Sequence, residues 1–297
     1  MLFLTILFVL CSGLILLSNT FVARQTFANN ETESNLLVMK ENTHYRYLVM
    51  GISHARNLSR NTHHVIFEKL IGGPMLNLGQ GDGLGGLKNQ LLYLSYFIER
   101  GNRADSLIFV LSPTLMYSNN VDNIGIAYYR EPIKLSFIKA ILNQDGTSKY
   151  RQILHYFMSK LRYHWLLSTP EIATSNEREL PKIDSVEIAR GMKLAYPQGM
   201  EERIFNERKV VFRELVEFAR SNQIEVSIVI PPAVFGKWPG HQKVYSFLKR
   251  DYPDMLVLDN SEAIRDAADY YDHHHLNSKG MEKHLYILSR NLKQGGD

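Results

Sequence analysis

Tyr45-Arg46-Tyr47-Leu48-Val49-Met50-Gly51-Ile52-Ser53-His54 is a short, mostly apolar run that ends in glycine and passes at once into a serine–histidine pair. A run of this length closed by glycine reads as a buried strand, which puts Ser53 at a strand-to-helix corner. The same kind of unit recurs along the chain. Met75–Gly79 and Ser106–Ser112 are further short apolar runs, the latter stopped by Pro113. Glu225–Ile230 is stopped by Pro231-Pro232, and Met255–Leu258 is the last. Helical patterns lie between and after them, at 54–71, 87–100, about 200–222, about 240–250 and about 278–292. Five short strands separated by helices predict an α/β fold with a five-stranded parallel sheet covered on both faces. Ligands of such sheets bind beyond the carboxyl ends of the strands. Ser53, the loop Gly79–Gly86, Ser112, Pro231 and the segment Asp272–His275 all fall at such ends.

The chain has 297 residues, 45% of them hydrophobic and 22% charged, which suits a folded domain with a sizeable core. Its net charge of +4 comes from scattered basic residues, with no basic stripe, zinc-finger spacing or RNA-binding signature, so a nucleic-acid partner is not expected. The one cysteine, Cys11, lies in the N-terminal apolar stretch and leaves the folded part free of disulfide or thiol chemistry. Met1–Leu17 is almost wholly apolar and no charge precedes Arg24. Residues 1–23 therefore read as an N-terminal membrane helix, with a cleaved signal sequence as the rival reading. Residues 24–44, rich in Asn, Glu and Thr, read as a linker, and 45–297 as the α/β domain. The alternation breaks at about 114–190, a helical insertion with stretches near Ile133–Leu142 and Tyr150–Leu167. Its aromatics, among them Tyr128, Tyr129, Phe137, Tyr156, Phe157, Tyr163 and Trp165, are either packing residues or a cap over a substrate site.

Two separated motifs carry chemistry. A serine hydroxyl at neutral pH is a weak nucleophile; it needs an imidazole to take its proton and a third group to orient that imidazole. Asp272-His273-His274-His275 can supply both from one turn, and Ser53 can supply the hydroxyl. A plain N-cap is the alternative use of Ser53. His54 adjoins the serine too closely to serve as its base, and the run of three histidines leaves the register of the base open. The glycine-rich loop Gly79–Gly86 can bring a backbone N–H, with that of Ser53, to an oxyanion. It is not a dinucleotide fingerprint, because Leu84 stands where the third glycine belongs. Adjacent histidines cannot all face one ion in regular structure, so neither a metal nor a cofactor is expected.

The arrangement resembles the SGNH hydrolase superfamily, the GDSL-like lipases and esterases. The resemblance runs over about 45–292 apart from the insertion. It is carried by Gly51-Ile52-Ser53-His54, by Asn77-Leu78-Gly79-Gln80-Gly81-Asp82, and by Asp272-His273-His274-His275 followed by Leu276-Asn277 and Gly280. It implies a three-layer, flavodoxin-like fold and a triad of Ser53, Asp272 and His275, the family spacing choosing His275 among the three histidines. The oxyanion would be held by the N–H groups of Ser53 and of Gly81, or of Gly79 next. The apolar N-terminus and the His-Leu-Asn-x-x-Gly ending make the chain most similar to the branch of D-alanine transfer and alginate O-acetylation proteins. That branch implies an acyl ester or glycan substrate, a domain outside the cytoplasm in the bacterial envelope, and a membrane-bound acyltransferase partner. One departure stands out. The family's third motif carries an oxyanion-binding Asn, whereas this chain has Leu111-Ser112-Pro113-Thr114. Loss of one such donor typically costs about 3–4 kcal/mol of transition-state stabilisation. Ser112 and Thr114 are the candidate replacements.

Overall fold

The computed structural model describes residues 2–26, 39–60, 62–79, 85–118, 133–143, 149–159 and 177–294, without the side chains of residues 15 and 18–26. Strands β1 (His44–Gly51), β2 (Met75–Asn77), β3 (Arg103–Val110), β4 (Glu225–Ile230) and β5 (Leu256–Asp259) form one sheet. Every pairing is parallel and the order is β2-β1-β3-β4-β5. This order is compatible with a flavodoxin-like fold. The chain reverses its direction of travel between β1 and β3, which opens a crevice at their carboxyl ends.

Helix α1 covers Leu2–Thr26. After β1 come α2 (Ser53–Asn57) and α3 (His63–Ile71), and α4 (Leu87–Glu99) leads into β3. The insertion contributes α5 (Leu135–Leu142), α6 (Lys149–Ser159) and α7 (Ser185–Ala195). Helices α8 (Glu202–Ser221), α9 (His241–Asp251) and α10 (Ser278–Gln294) complete the chain. Successive strand side chains point to opposite faces, so the sheet has two cores. Leu48, Met50, Leu107, Phe109, Val226 and Ile228 face α4, α8 and α9. Val49, Ile108, Val110 and Val229 face α2, α3 and α10.

Some expected elements differ. The single helix expected over 54–71 is two. The Asn77 Nδ2 group, at the end of β2, donates to the Ala55 carbonyl at 2.7 Å and to Ser59 Oγ at 2.8 Å. It takes up the carbonyl that a continuing helix would offer to the N–H of residue 59. The same side chain ends β2 two residues earlier than expected, because its Oδ1 accepts the Gly79 N–H at 2.8 Å. In the insertion, Phe137 packs between Tyr96 and Tyr156, with ring centroids 4.8 and 5.1 Å away, so these aromatics are core. Tyr128, Tyr129, Tyr163 and Trp165 lie outside the described residues. Helix α7 crosses the expected end of the insertion at 190 and buries none of its residues.

The N-terminal segment is helical as expected, and its side chains such as Leu2, Phe3, Phe8 and Leu17 are exposed. Those described extend only to Leu17, about 24 Å of helix against a hydrocarbon core of about 30 Å. Among the described residues, no helix is long and apolar enough to cross a membrane.

Candidate active site

The corner after β1 is held by a glycine. Gly51 has φ +140°, and a Cβ there would lie 2.5 Å from the Val110 carbonyl oxygen. Only the absence of a side chain lets β1 pass so close to the end of β3. The buried Gln90 of α4 grips this peptide from both sides. Its Oε1 accepts the Gly51 N–H at 3.1 Å, and its Nε2 donates to the Gly51 carbonyl at 3.0 Å. Ser53 follows as the first residue of α2. As an N-terminal helical residue it has no carbonyl one turn back to bond, and its N–H takes no acceptor among the described residues.

The histidine-bearing turn precedes α10. Asn277 pins it: Nδ2 donates to the Ala268 carbonyl at 2.8 Å, and Oδ1 accepts the Gly280 N–H at 3.0 Å. Within the turn, Asp272 Oδ1 accepts the backbone N–H groups of His274 and His275 at 2.9 and 2.7 Å. Asp272 Oδ2 lies 2.8 Å from His275 Nδ1, and His275 Nε2 lies 2.7 Å from Ser53 Oγ. A carboxylate only accepts, so the imidazole proton belongs on Nδ1, which leaves the Nε2 lone pair for the serine hydroxyl. Tyr271 stacks on the His275 ring at 5.4 Å and 6°. Burial opposes the Asp272 charge, but the bonds and charges of His275 and His274 outweigh it and hold the carboxyl well below its ordinary value. The carboxylate is therefore ionised at any physiological pH. Ser53, His275 and Asp272, the residues expected from the sequence, are thus brought into one hydrogen-bonded chain.

The expected oxyanion donors fare differently. Gly79 is not a free donor, because its N–H is bonded to Asn77 Oδ1. Its role is close packing, since a Cβ there would meet Arg56 N at 2.5 Å. Gly81 lies outside the described residues. Ser112 and Thr114 are buried, and the Thr114 hydroxyl donates to Ser112 Oγ at 3.2 Å. Their hydroxyls are turned on each other.

Sequence reading missed several positioning residues. Gln90 and Asn77 carry no motif signal. His54, too close to Ser53 to be its base, has another role: its Nε2 donates to the His274 carbonyl at 2.9 Å, and its ring lies 5.0 Å from that of His275. Its buried Nδ1 has no partner among the described residues. Burial, and then the neighbouring His275 and His274, hold its pKa well below the usual imidazole value. His273 faces away, and its Nε2 accepts the N–H of Asp184, the N-cap of α7, at 3.0 Å. Leu180 N–H bonds the Tyr270 carbonyl at 2.7 Å, so residues 180–184 are strapped along the turn. Between α7 and the turn lies a pocket of about 500 Å³, walled by Arg190, Met192, Phe235, Trp238, Asp272 and His274.

The three adjacent histidines do not all face one point, since His273 is turned to Asp184. The 270–276 segment is irregular, and one ligand atom each of Asp272, His274 and His275 lies within 4.8 Å of the other two.

Comparison with known proteins yields no matching family model and no matching curated protein.

Proposed function

We propose that the protein is an SGNH-type serine esterase or O-acyltransferase, held at the membrane by its N-terminal helix and acting on acyl esters outside the cytoplasm. The observation that carries this reading is the Asp272–His275–Ser53 chain, with a 2.8 Å contact inside the turn and a 2.7 Å contact across 222 residues of sequence separation. Ser53 Oγ attacks the ester carbonyl carbon while its proton passes to His275 Nε2. Charge collects on the carbonyl oxygen, and the Ser53 N–H is the described donor that meets it. Collapse breaks the bond to the alkoxy group, which leaves with the proton from His275. The acyl-serine then passes its acyl group to water or to a sugar hydroxyl, deprotonated by the same imidazole. Asp272 stabilises the imidazolium in both halves. The substrate class proposed is O-acetyl groups of cell-surface glycans, with a membrane-bound acyltransferase as partner.

The first test is labelling by a fluorophosphonate, with Ser53→Ala beside the native chain. The second is acyl release from, or transfer to, envelope glycans. The anchor is tested by protease added to intact spheroplasts, which digests an external domain and spares a cytoplasmic one.

The pairing of Ser112 with Thr114 and the engagement of the Gly79 N–H favour a second reading. In it the fold is retained with weak or no turnover, and the protein binds glycan or assists an envelope acylation complex. Native protein that neither labels nor turns over esters while still binding glycan supports that reading instead.

A further inference from the structure

The turn that presents His275 to Ser53 presents a second imidazole to the same carboxylate. His275 Nδ1 lies 2.8 Å from Asp272 Oδ2, and His274 Nδ1 lies 3.5 Å from Asp272 Oδ1. The serine chemistry above makes no use of the His274 side chain. Its ring is held by aromatic contacts, tilted 44° to His275 at a centroid distance of 4.0 Å and edge-on to Trp238 at 5.5 Å and 75°. The carboxylate and this ring are 37% and 35% exposed, so an ion from solvent can reach them. His273 is excluded, because its Nε2 is occupied by the Asp184 N–H.

We propose that Asp272, His274 and His275 form a binding site for a divalent transition cation, Zn²⁺ in the first place, that switches the serine site off. Two imidazole nitrogens beside one carboxylate suit Zn²⁺, whereas Mg²⁺ and Ca²⁺ take oxygen ligands. The distances suit it as well. Zinc with ligands at about 2.0–2.1 Å in tetrahedral array holds neighbouring donors roughly 3.3 Å apart. His274 Nδ1 and Asp272 Oδ1 are already near that spacing at 3.5 Å. Counting one ligand atom each, Asp272, His274 and His275 all lie within 4.8 Å of one another, so three protein ligands can close on one ion. A water completes four-coordination.

The consequence for the serine, which rests on the reading above, follows from proton bookkeeping. The metal takes the Nδ1 lone pair of His275. The neutral ring keeps one proton, now relocated through solvent to Nε2. That nitrogen then faces Ser53 Oγ as a donor and cannot accept the serine proton. No net proton is gained or lost by the ring, and removal of the ion restores the original tautomer.

The test uses the full chain purified in detergent and stripped with a chelator. Zn²⁺ binding is read by competition with a chromophoric chelator. One equivalent should bind the native chain and Ser53→Ala alike, and Mg²⁺ should not displace it. His274→Ala should weaken binding more than tenfold, as should His274→Phe, which keeps the ring packing on Trp238 and removes the ligand. His273→Ala should bind as the native chain does. Fluorophosphonate labelling of the native chain should be suppressed by Zn²⁺ and recovered with chelator, while His274→Phe labels in the same zinc. Absence of binding, or equal affinity in the native chain and both His274 variants, overturns the site. Binding that depends on His274 in a chain that never labels supports the site and overturns the serine reading instead. Labelling that is indifferent to bound zinc overturns the switch.

Discussion

His54 Nε2 donates to the carbonyl of His274 at 2.9 Å, so the residue after the serine holds the residue before the histidine. The two halves of the site come from opposite ends of the domain, packed in one core and joined at the site by the Ser53–His275 contact. The His54 bond is a second tie, made by a neutral buried ring whose plane lies 31° from that of His275. A carbonyl only accepts, so His54 is locked with its proton on Nε2.

His54→Ala should therefore slow fluorophosphonate labelling of Ser53 by roughly 10²-fold, the usual cost of misplacing a reacting pair by about an ångström. His54→Gln, whose amide nitrogen can reach where Nε2 stood, should recover part of that loss. Equal rates for the alanine variant and the native chain would show that the tie does not position the pair.

Ser53→Ala should abolish both labelling and ester turnover while leaving the circular dichroism spectrum unchanged. Of the three adjacent histidines, only His275 contacts Ser53 Oγ, at 2.7 Å. His275→Ala should lower turnover by several powers of ten. His273→Ala should act through its bond to Asp184, loosening α7, with a far smaller effect on turnover. Loss of all turnover in His273→Ala with the fold intact would contradict this assignment.

Gly51→Ala should destabilise the domain by roughly 3–5 kcal/mol, because it combines an unfavourable backbone angle with a backbone overlap that no side-chain movement relieves. The added Cβ would sit 2.5 Å from the Val110 carbonyl, between β1 and β3. Urea unfolding measures the loss, and a midpoint within error of the native one would show that the corner relaxes freely.

The strands were legible because apolar runs such as Leu48–Met50 and Ile228–Ile230 end at glycine or proline, and because a sheet buried on both faces needs no polar alternation. The serine and its Asp-x-x-His partner were legible because each is a local pattern whose chemistry demands those residue types. What escaped the sequence depends on side chains that reach across the fold. Asn77 cuts the 54–71 helix in two and takes the Gly79 N–H, and nothing in its neighbourhood of sequence announces either bond. The convergence of His274 with Asp272 and His275 depends on the irregular turn between Tyr270 and Leu276, whose shape no local sequence pattern announces.

Acid should destabilise the domain in a defined window. His274 and His284 have pKa values of about 4, against 6.5 for a free imidazole, and burial is the first cause for both. His284 is sealed beneath α10, where its Nε2 meets Asn260 Nδ2 at 3.1 Å. A base whose folded pKa is lowered is protonated first in the unfolded chain. The unfolded state then binds more protons, and stability is lost as pH falls. The contribution is intact above about pH 6.5, declines as pH drops, and is exhausted near pH 4. Full expression of the His284 shift corresponds to something on the order of 3 kcal/mol across that window. Asp272 acts in the same direction at lower pH, since its depressed carboxyl adds stability that disappears only in strong acid. Urea midpoints should hold from pH 7.5 to about 6.5 and then fall toward pH 4.5. His284→Gln, which keeps a polar partner for Asn260 without an ionisable group, should flatten the slope while lowering stability at neutral pH. An unchanged slope in that variant would mean that His284 is protonated in the folded domain and that the acid sensitivity resides elsewhere.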